Sequence, residues 1–379
     1  MKRIFFSTLL MVTIGFLSHA QIVRKDMIVP DILEFKTLKC DFHIHTVFSD
    51  GSVWPTIRVE EAWTMGYDAI SITDHIEYQP HKEYIPVKHN AGYEIARPHG
   101  DRRDIIVIQG TEITRQMPPG HLNGIFINDA AAIETELIRL KHTTETPSNF
   151  MDSIDHELKD YMNALEEANA QGGFVFWNHP GWSSQASEGI RIYDVHKELI
   201  KKGWIKGIEV ANSGEWYPEA FQWCLDNNLA MMSNSDIHTT EAFFERGSSV
   251  DHRPVTLVFA ETRSAEGIRG ALDAARSVVW FNNMVLGPKR FVEPLFYNSI
   301  EVSGAFFMDE KGRSFYNLKN NSDFLFHMVD IDTHDRVDLL PRSSLIIQFD
   351  EVRDARRMLV ENFFTEPDKP LEIILKPSE

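Results

Sequence analysis

The chain has 379 residues, with 38 Lys and Arg against 56 Asp and Glu, and a formal net charge of −18. With 43% apolar and 25% charged residues it lies in the globular range, which excludes a disordered, collagenous or coiled-coil chain. The length suits one large domain or two unequal ones, and the acidity argues against a protein that grips nucleic-acid backbone or anionic lipid.

Residues 1–20 read as a secretory signal. Lys2 and Arg3 form the charged start, residues 4–17 are an apolar run, and Ser18-His19-Ala20 ends in a small residue before Gln21. The run is shorter than the roughly 20 residues a spanning helix needs. The expectation is export, to the periplasm or outside the cell, after cleavage near Ala20, with no membrane span in the mature chain. Losing Lys2 and Arg3 takes the net charge from −18 to −20. Cys40 and Cys224 are two and far apart, and read as ordinary buried thiols. A disulfide framework or a Cys-rich zinc site needs more of them.

Next comes an alternation of strand-like runs and helical patterns. Residues 38–46 (LKCDFHIHT) are strand-like and 56–65 have helical spacing. Residues 68–73, 105–114, 122–128, 173–178, 205–210 and 229–234 are further strands, with a long amphipathic stretch over 149–170. Alternation of this kind indicates parallel strands with crossover helices, and at least seven strands favour a barrel over an open sheet. Residues 77–103, rich in His, Pro, Lys and Arg, are too long for a tight connection and read as a substrate-facing insertion or a solvated loop. The alternation stops near Gly287-Pro288. Beyond it FLFHMVDI, SLIIQFD and LEIILKP suggest a small all-β unit. The expected division is a signal over 1–20, a barrel over 21–288, and a β-sandwich-like accessory domain over 289–379.

The chemistry concentrates at strand ends. In Asp41-Phe42-His43-Ile44-His45-Thr46, His43 and His45 are two apart on a strand, so they project to one face as half of a metal site. Ser49-Asp50-Gly51 follows. Later strands end in Thr73-Asp74-His75, Gly110-Thr111-Glu112 with Gly120-His121 beyond a short loop, Asn178-His179-Pro180, and Ser235-Asp236-Ile237-His238. A lone capping Asp or surface His explains any one of these. Five groups at one end of a barrel point to a metal cluster instead. Its nine candidate ligands are His43, His45, Asp50, His75, Glu112, His121, His179, Asp236 and His238. That number serves two or three divalent ions, and N/O ligation without thiolate suits Zn, Mn or Fe alike.

This series, D-x-H-x-H-T-x-x-S-D-G, T-D-H, G-T-E, G-H, N-H-P and S-D-x-H, resembles the PHP (polymerase and histidinol phosphatase) family of metal-dependent phosphoesterases over residues 38–287. The resemblance implies an α/β fold with a distorted (β/α)7 TIM-like barrel, here followed by a small C-terminal all-β domain. It also implies up to three metals and a metal-bridging hydroxide that attacks phosphorus. On that pattern Glu112 bridges two metals, and His43, His45 and Asp236 hold one end of the cluster. Asp50, His75 and His238 hold another ion, with His121 and His179 left for the third. An exported chain with an added β domain fits neither the polymerase nor the histidinol phosphatase branch. It looks closer to the family's small phosphatases and phosphodiesterases.

The implied function is therefore hydrolysis of a small phosphorylated substrate, a phosphomonoester or phosphodiester, with no stable nucleic-acid partner. Asp74 is a candidate catalytic residue that orients a ligand or takes a proton, its bland alternative being a cap. Arg115, Arg246 and Lys82 are candidate phosphate clamps, and Trp182 a candidate stacking surface. Two other functions compete. A metal-dependent amidohydrolase on the same barrel usually has a bridging Lys, and no Lys stands at a matching strand end. A non-catalytic binding or scaffold protein should have lost some ligands, yet every ligand position is filled.

Overall fold

The computed structural model describes residues 23–143, 158–242, 252–349 and 355–377. Residues 1–20, Arg246 and the first part of the 149–170 stretch lie outside them. The barrel begins with parallel strands β1 (Lys36–Asp41), β2 (Ala69–Ile72) and β3 (Ile106–Ile113). Helix α1 (Pro55–Met65) links the first two, opening with Pro at its first turn and closing on Gly66 at φ 86°. The link between β2 and β3 corrects the reading of residues 77–103 as a loop or insertion. Its second half is a 13-residue helix, α2 (Ala91–Arg103), packed on α1 and β3. Pro98 and two glycines inside it hide the helical pattern, and those glycines are there because of crowding: a Cβ on Gly92 would stand 2.6 Å from Asp74 Oδ2.

After β3 the chain turns back. Strand β4 (Leu122–Ile125) runs antiparallel to β3 and to β5 (Phe174–Trp177), so the strict parallel alternation expected here breaks. Four residues carry no signature of direction. Helices α3 (Glu136–Thr143) and α4 (Leu158–Ala170) lie between β4 and β5. The parallel order resumes with β5, β6 (Gly207–Asn212) and β8 (Ala230–Asn234), helices α5 (Asp194–Lys201) and α6 (Pro218–Asn227) crossing between them and β7 (Glu215–Trp216) forming a short hairpin on β6. On the other flank, β9 (Val255–Ala260) pairs antiparallel with β1, and β10 (Ser277–Phe281) follows it through α7 (Ala265–Asp273).

Closure between β8 and this flank uses side chains. Thr256 Oγ1 accepts from Ser233 N at 2.8 Å and donates to Ser233 O at 2.9 Å. Ser277 Oγ does the same for Met231, at 3.0 and 2.9 Å. Two hydroxyls thus satisfy backbone groups of β8 that would otherwise be buried without partners.

The C-terminal β domain is joined to the barrel by a shared sheet and a shared apolar core. Strand β11 (Met284–Leu286) pairs with β10 and runs parallel to β18 (Arg356–Glu366), so one sheet continues across position 288. One apolar core contains Ile70, Leu257 and Phe259 of the barrel together with Phe324, Phe326, Val360, Phe363 and Leu371. The all-β reading from residue 289 needs one correction. Residues 289–299 form helix α8 (Lys289–Ser299), which buries Phe291, Val292, Leu295 and Phe296 at helical spacing around an internal Pro294. Beyond it lie β12 (Ile300–Val302), β13 (Phe307–Met308), β14 (Ser314–Asn320), β15 (Phe326–Asp330), β16 (Arg336–Leu339), β17 (Ser344–Phe349), β18 and β19 (Lys369–Leu375). Cys40 and Cys224 are buried free thiols, as read from the sequence.

Candidate metal centre

All nine candidate ligands meet at one end of the barrel. The β1 ladder stops at Asp41, but residues 42–45 stay extended. Ile44 N donates to Thr73 Oγ1 at 3.0 Å, and Thr73 N and His45 N donate to Ile44 O and Ile237 O. This parallel bridge aims His43 and His45 into the barrel mouth while Phe42 and Ile44 pack in the core. Gly51 is required next to them: a Cβ there would sit 2.7 Å from His45 C and 2.8 Å from Thr46 N. His179 and Asp236 hold positive φ angles of 27° and 53°, the second left-handed and both unusual for residues other than Gly. Strain of that kind, of order 1–3 kcal/mol per residue, persists only where surrounding contacts fix it.

Two triads share the His43–His45 edge, one closed by Glu112 and the other by Asp236. His43 Nε2 lies 3.1 Å from His45 Nε2, 3.1 Å from Glu112 Oε2 and 3.1 Å from Asp236 Oδ1. His45 Nε2 lies 3.2 Å from Glu112 Oε2 and 3.1 Å from Asp236 Oδ1. Any two ligands of a tetrahedral ion with bonds of about 2.0 Å stand about 3.3 Å apart, close to each of these separations. Asp236 Oδ1 is buried and makes no aligned hydrogen bond, so these residues fit a bound cation.

Two further groups flank these triads. His45, Asp50, His75 and His238 converge, with Asp50 Oδ2 3.2 Å from His238 Nε2 and Asp50 Oδ1 3.7 Å from His75 Nε2. Glu112, His121 and His179 converge on the other side, through Glu112 Oε1 at 2.8 Å from His121 Nδ1 and 3.7 Å from His179 Nε2. Glu112 thus faces two groups, the bridging place the resemblance implies. His45 reaches two groups as well, and His43 also converges with His179 and Asp236, so the ligands are shared more widely than one ion per set.

The charges explain one another. Burial raises the pKa of Glu112 and Asp236, but the imidazoles around them outweigh it and hold both well below the carboxylate range. Burial pushes His45 down, yet Asp236 and Glu112 carry it up to about 10, and His43 is raised well above its ordinary value on a similar balance. For His75 burial prevails, and it falls to about 4. Without a cation the imidazoles of His43 and His45 hold protons between the ionised carboxylates. A divalent ion would displace them.

Behind the ligands stand residues that motif reading passed over. Glu209, fully buried on β6, accepts from His43 Nδ1 at 2.9 Å and Asn234 Nδ2 at 3.0 Å with one oxygen. Its other oxygen accepts from His179 N at 2.7 Å and Asn212 Nδ2 at 2.8 Å. The only sequence signal was a lone Glu inside an apolar strand. Asp41 accepts from Ser235 Oγ at 2.6 Å and is held by Arg253, which ties β1 to the Asp236 turn.

The cavity of about 630 Å³ over the centre is lined by ligands and by Trp182, Asn212, Ser213, Gly214, Glu215 and Tyr217. Other candidates are placed elsewhere. Both Asp74 oxygens accept bonds from the turn carrying Asp50: Thr46 N, Thr46 Oγ1 and Ser49 Oγ, each at 2.7 Å. Asp74 does not line the cavity, so it orients the turn and is not set to take a proton from a substrate. Arg115 donates to Pro118 O at 3.0 Å, and neither it nor Lys82 is part of the cavity wall. Gln185 Nε2 lies 3.3 Å from Arg115 O and 2.9 Å from His121 Nε2, so the Arg115 backbone stands beside the centre while its side chain turns to Pro118. Trp182 does line the cavity, edge-on to His121 and His179 at 5.7 and 5.3 Å between ring centres.

A barrel with a His and carboxylate cluster at its strand ends is the architecture used by metal-dependent hydrolases. The family model for the PHP domain matches residues 41–202. A two-domain protein of Bacteroides vulgatus, described as containing a predicted PHP-like metal-dependent phosphoesterase, is 37% identical in its crystal structure. It spans 93% of this chain and 98% of its own, with a TM-score of 0.81. An uncharacterised protein of Methanocaldococcus jannaschii is 28% identical over 205 residues, 54% of this chain and 83% of the relative. The chain belongs to the PHP domain family.

Proposed function

We propose that the chain is an exported phosphoesterase that hydrolyses small phosphomonoesters or phosphodiesters at a centre of two or three divalent ions (Zn, Mn or Fe). The carrying observation is that His43 and His45 share close contacts with both Glu112 and Asp236, whose Oδ1 makes no aligned hydrogen bond. Ions held by the nine ligands would lower the pKa of a water toward neutrality and take up charge developing on a phosphoryl oxygen. The protein's own side chains do the rest. Glu209 fixes the ring and tautomer of His43, and Asp74 fixes the turn that presents Asp50.

Trp182 and Tyr217 supply aromatic walls for the organic part of an ester. Gly181 gives Tyr217 its place, since a Cβ there would stand 2.5 Å from that ring. Among the described residues no Lys or Arg lines the cavity, so there the attraction for a phosphate would come from the ions, with Arg246 outside the described residues. One phosphate per substrate suits that arrangement better than a polyphosphate chain. The missing Lys also disfavours the amidohydrolase alternative. Export is supported by the charged, apolar and small-residue pattern of residues 1–20, and no helix among the described residues is long and apolar enough to cross a membrane.

The test is a phosphate-release screen over nucleotides, sugar phosphates and phosphodiesters, with chelator-stripped protein given Zn, Mn or Fe in turn. Release that depends on added metal supports the reading. Cleavage of amides or lactones, with none of any phosphate ester, overturns it.

A further inference from the structure

Away from the cavity a second constellation of ligand chemistry is built from three separate segments. His89 precedes α2, Glu134 closes the 3-10 turn at Ala130–Ile133, and His142 lies on α3. Glu134 Oε1 is 3.2 Å from His89 Nε2 and 3.7 Å from His142 Nε2. These separations bracket the roughly 3.3 Å edge of a tetrahedral site with N and O ligands. The three side chains are 4, 11 and 7% exposed. His89 Nε2 is fully buried, aimed at Glu134, and forms no aligned hydrogen bond. A polar nitrogen left so is costly without a ligand.

We propose that His89, Glu134 and His142 bind one zinc-type divalent ion, separate from the ions of the cavity. Arg139 Nε holds Glu134 Oε2 at 3.2 Å and leaves Oε1 turned to the two rings. His142 Nε2 lies 2.8 Å from Ile76 O. Binding through Nε2 takes the tautomer with its proton on Nδ1 and replaces that hydrogen bond, and Ile76 O or a water completes the shell. Three protein ligands supplied by three separate segments suit a structural ion.

Its place gives it a purpose. Ile76 follows His75, and Ile76 N donates to Glu112 O at 3.0 Å. An ion here fastens the approach to α2, the 3-10 turn and α3 around the backbone that carries two ligands of the main centre.

The test counts zinc by elemental analysis in the full-length protein, in Glu134→Gln and in His89→Ala/His142→Ala, after chelation and re-equilibration with Zn²⁺. The expected result is a loss of one equivalent in both variants, whatever the main centre holds and whatever ester it cleaves. Equal counts in all three proteins overturn the proposal. His89→Cys with Co²⁺ in place of zinc gives a positive readout from folded protein. A near-ultraviolet thiolate-to-cobalt band is expected, and is lost when Glu134→Gln is added. Absence of the band in a folded variant overturns the proposal too.

Discussion

Glu209→Gln separates an account in which the buried network tunes the metal ligands from one in which the ligands act alone. The amide has the carboxylate's shape but turns one acceptor into a donor. If the NH₂ takes the Oε1 place, it faces His43 Nδ1 and Asn234 Nδ2; at the Oε2 place it faces His179 N and Asn212 Nδ2. Either way two buried donors lose their acceptor, at about 1–3 kcal/mol each, so destabilisation of about 2–6 kcal/mol is expected. The negative charge that raises the basicity of His43 is lost as well. Substitutions behind metal-bound His typically weaken affinity 10–100-fold, which is about 1.4–2.7 kcal/mol. Competition of stripped protein against a chromophoric chelator measures the affinity, and thermal unfolding with and without metal measures the stability. A folded Glu209→Gln protein with wild-type affinity would refute the reasoning.

Other outcomes follow from the same geometry. His43→Ala should lose metal and phosphoesterase activity together, because its Nε2 belongs to both central triads; elemental analysis beside turnover checks this. Gly51→Ala should reduce metal content and lower the melting temperature, since the new Cβ meets His45 and Thr46 backbone rather than a movable side chain. In stripped protein His45 titrates near 10, against about 6.5 unfolded, so its stabilisation is complete below about pH 6.5 and is lost as pH rises through about 10. Melting temperatures should therefore fall more steeply from pH 7 to 10 in stripped than in metal-loaded protein, and equal slopes would contradict the assignment. Asp74→Asn should raise KM and lower metal content by loosening the Thr46 to Ser49 turn, while leaving any acidic limb of the pH profile where it was.

The ligands were legible because metal chemistry restricts residue type and barrel topology restricts place. His43 and His45 declare themselves two apart on a strand, and His75, Glu112, His179 and Asp236 each follow an apolar run. Direction was not legible. Strand β4 is four residues long, and only its antiparallel ladder shows that His121 reaches the cluster from the start of a strand. Helices α2 and α8 were hidden by Pro98 and Pro294, although Phe291, Val292, Leu295 and Phe296 keep a helical spacing. Glu209 and the hydroxyls of Thr256 and Ser277 act through partners far away in sequence, which no local pattern encodes. The pairing of β11 with β18, which ties the C-terminal β domain to the barrel in one sheet, is of the same kind. Arg115 stands out by charge and by its place three residues past Glu112, and Lys82 by charge, but neither signal says which way a side chain turns.

The central claim is that divalent ions at the strand ends drive phosphate-ester hydrolysis. Its most direct test strips the full-length protein with chelator, restores Zn, Mn or Fe in steps, and follows bound metal and hydrolysis of p-nitrophenyl phosphate and its bis ester in the same samples. The account predicts an inert stripped protein whose activity on at least one of the two esters rises with occupancy and is abolished by Asp236→Asn. Full activity in stripped protein, or none on either ester at full occupancy, would contradict it.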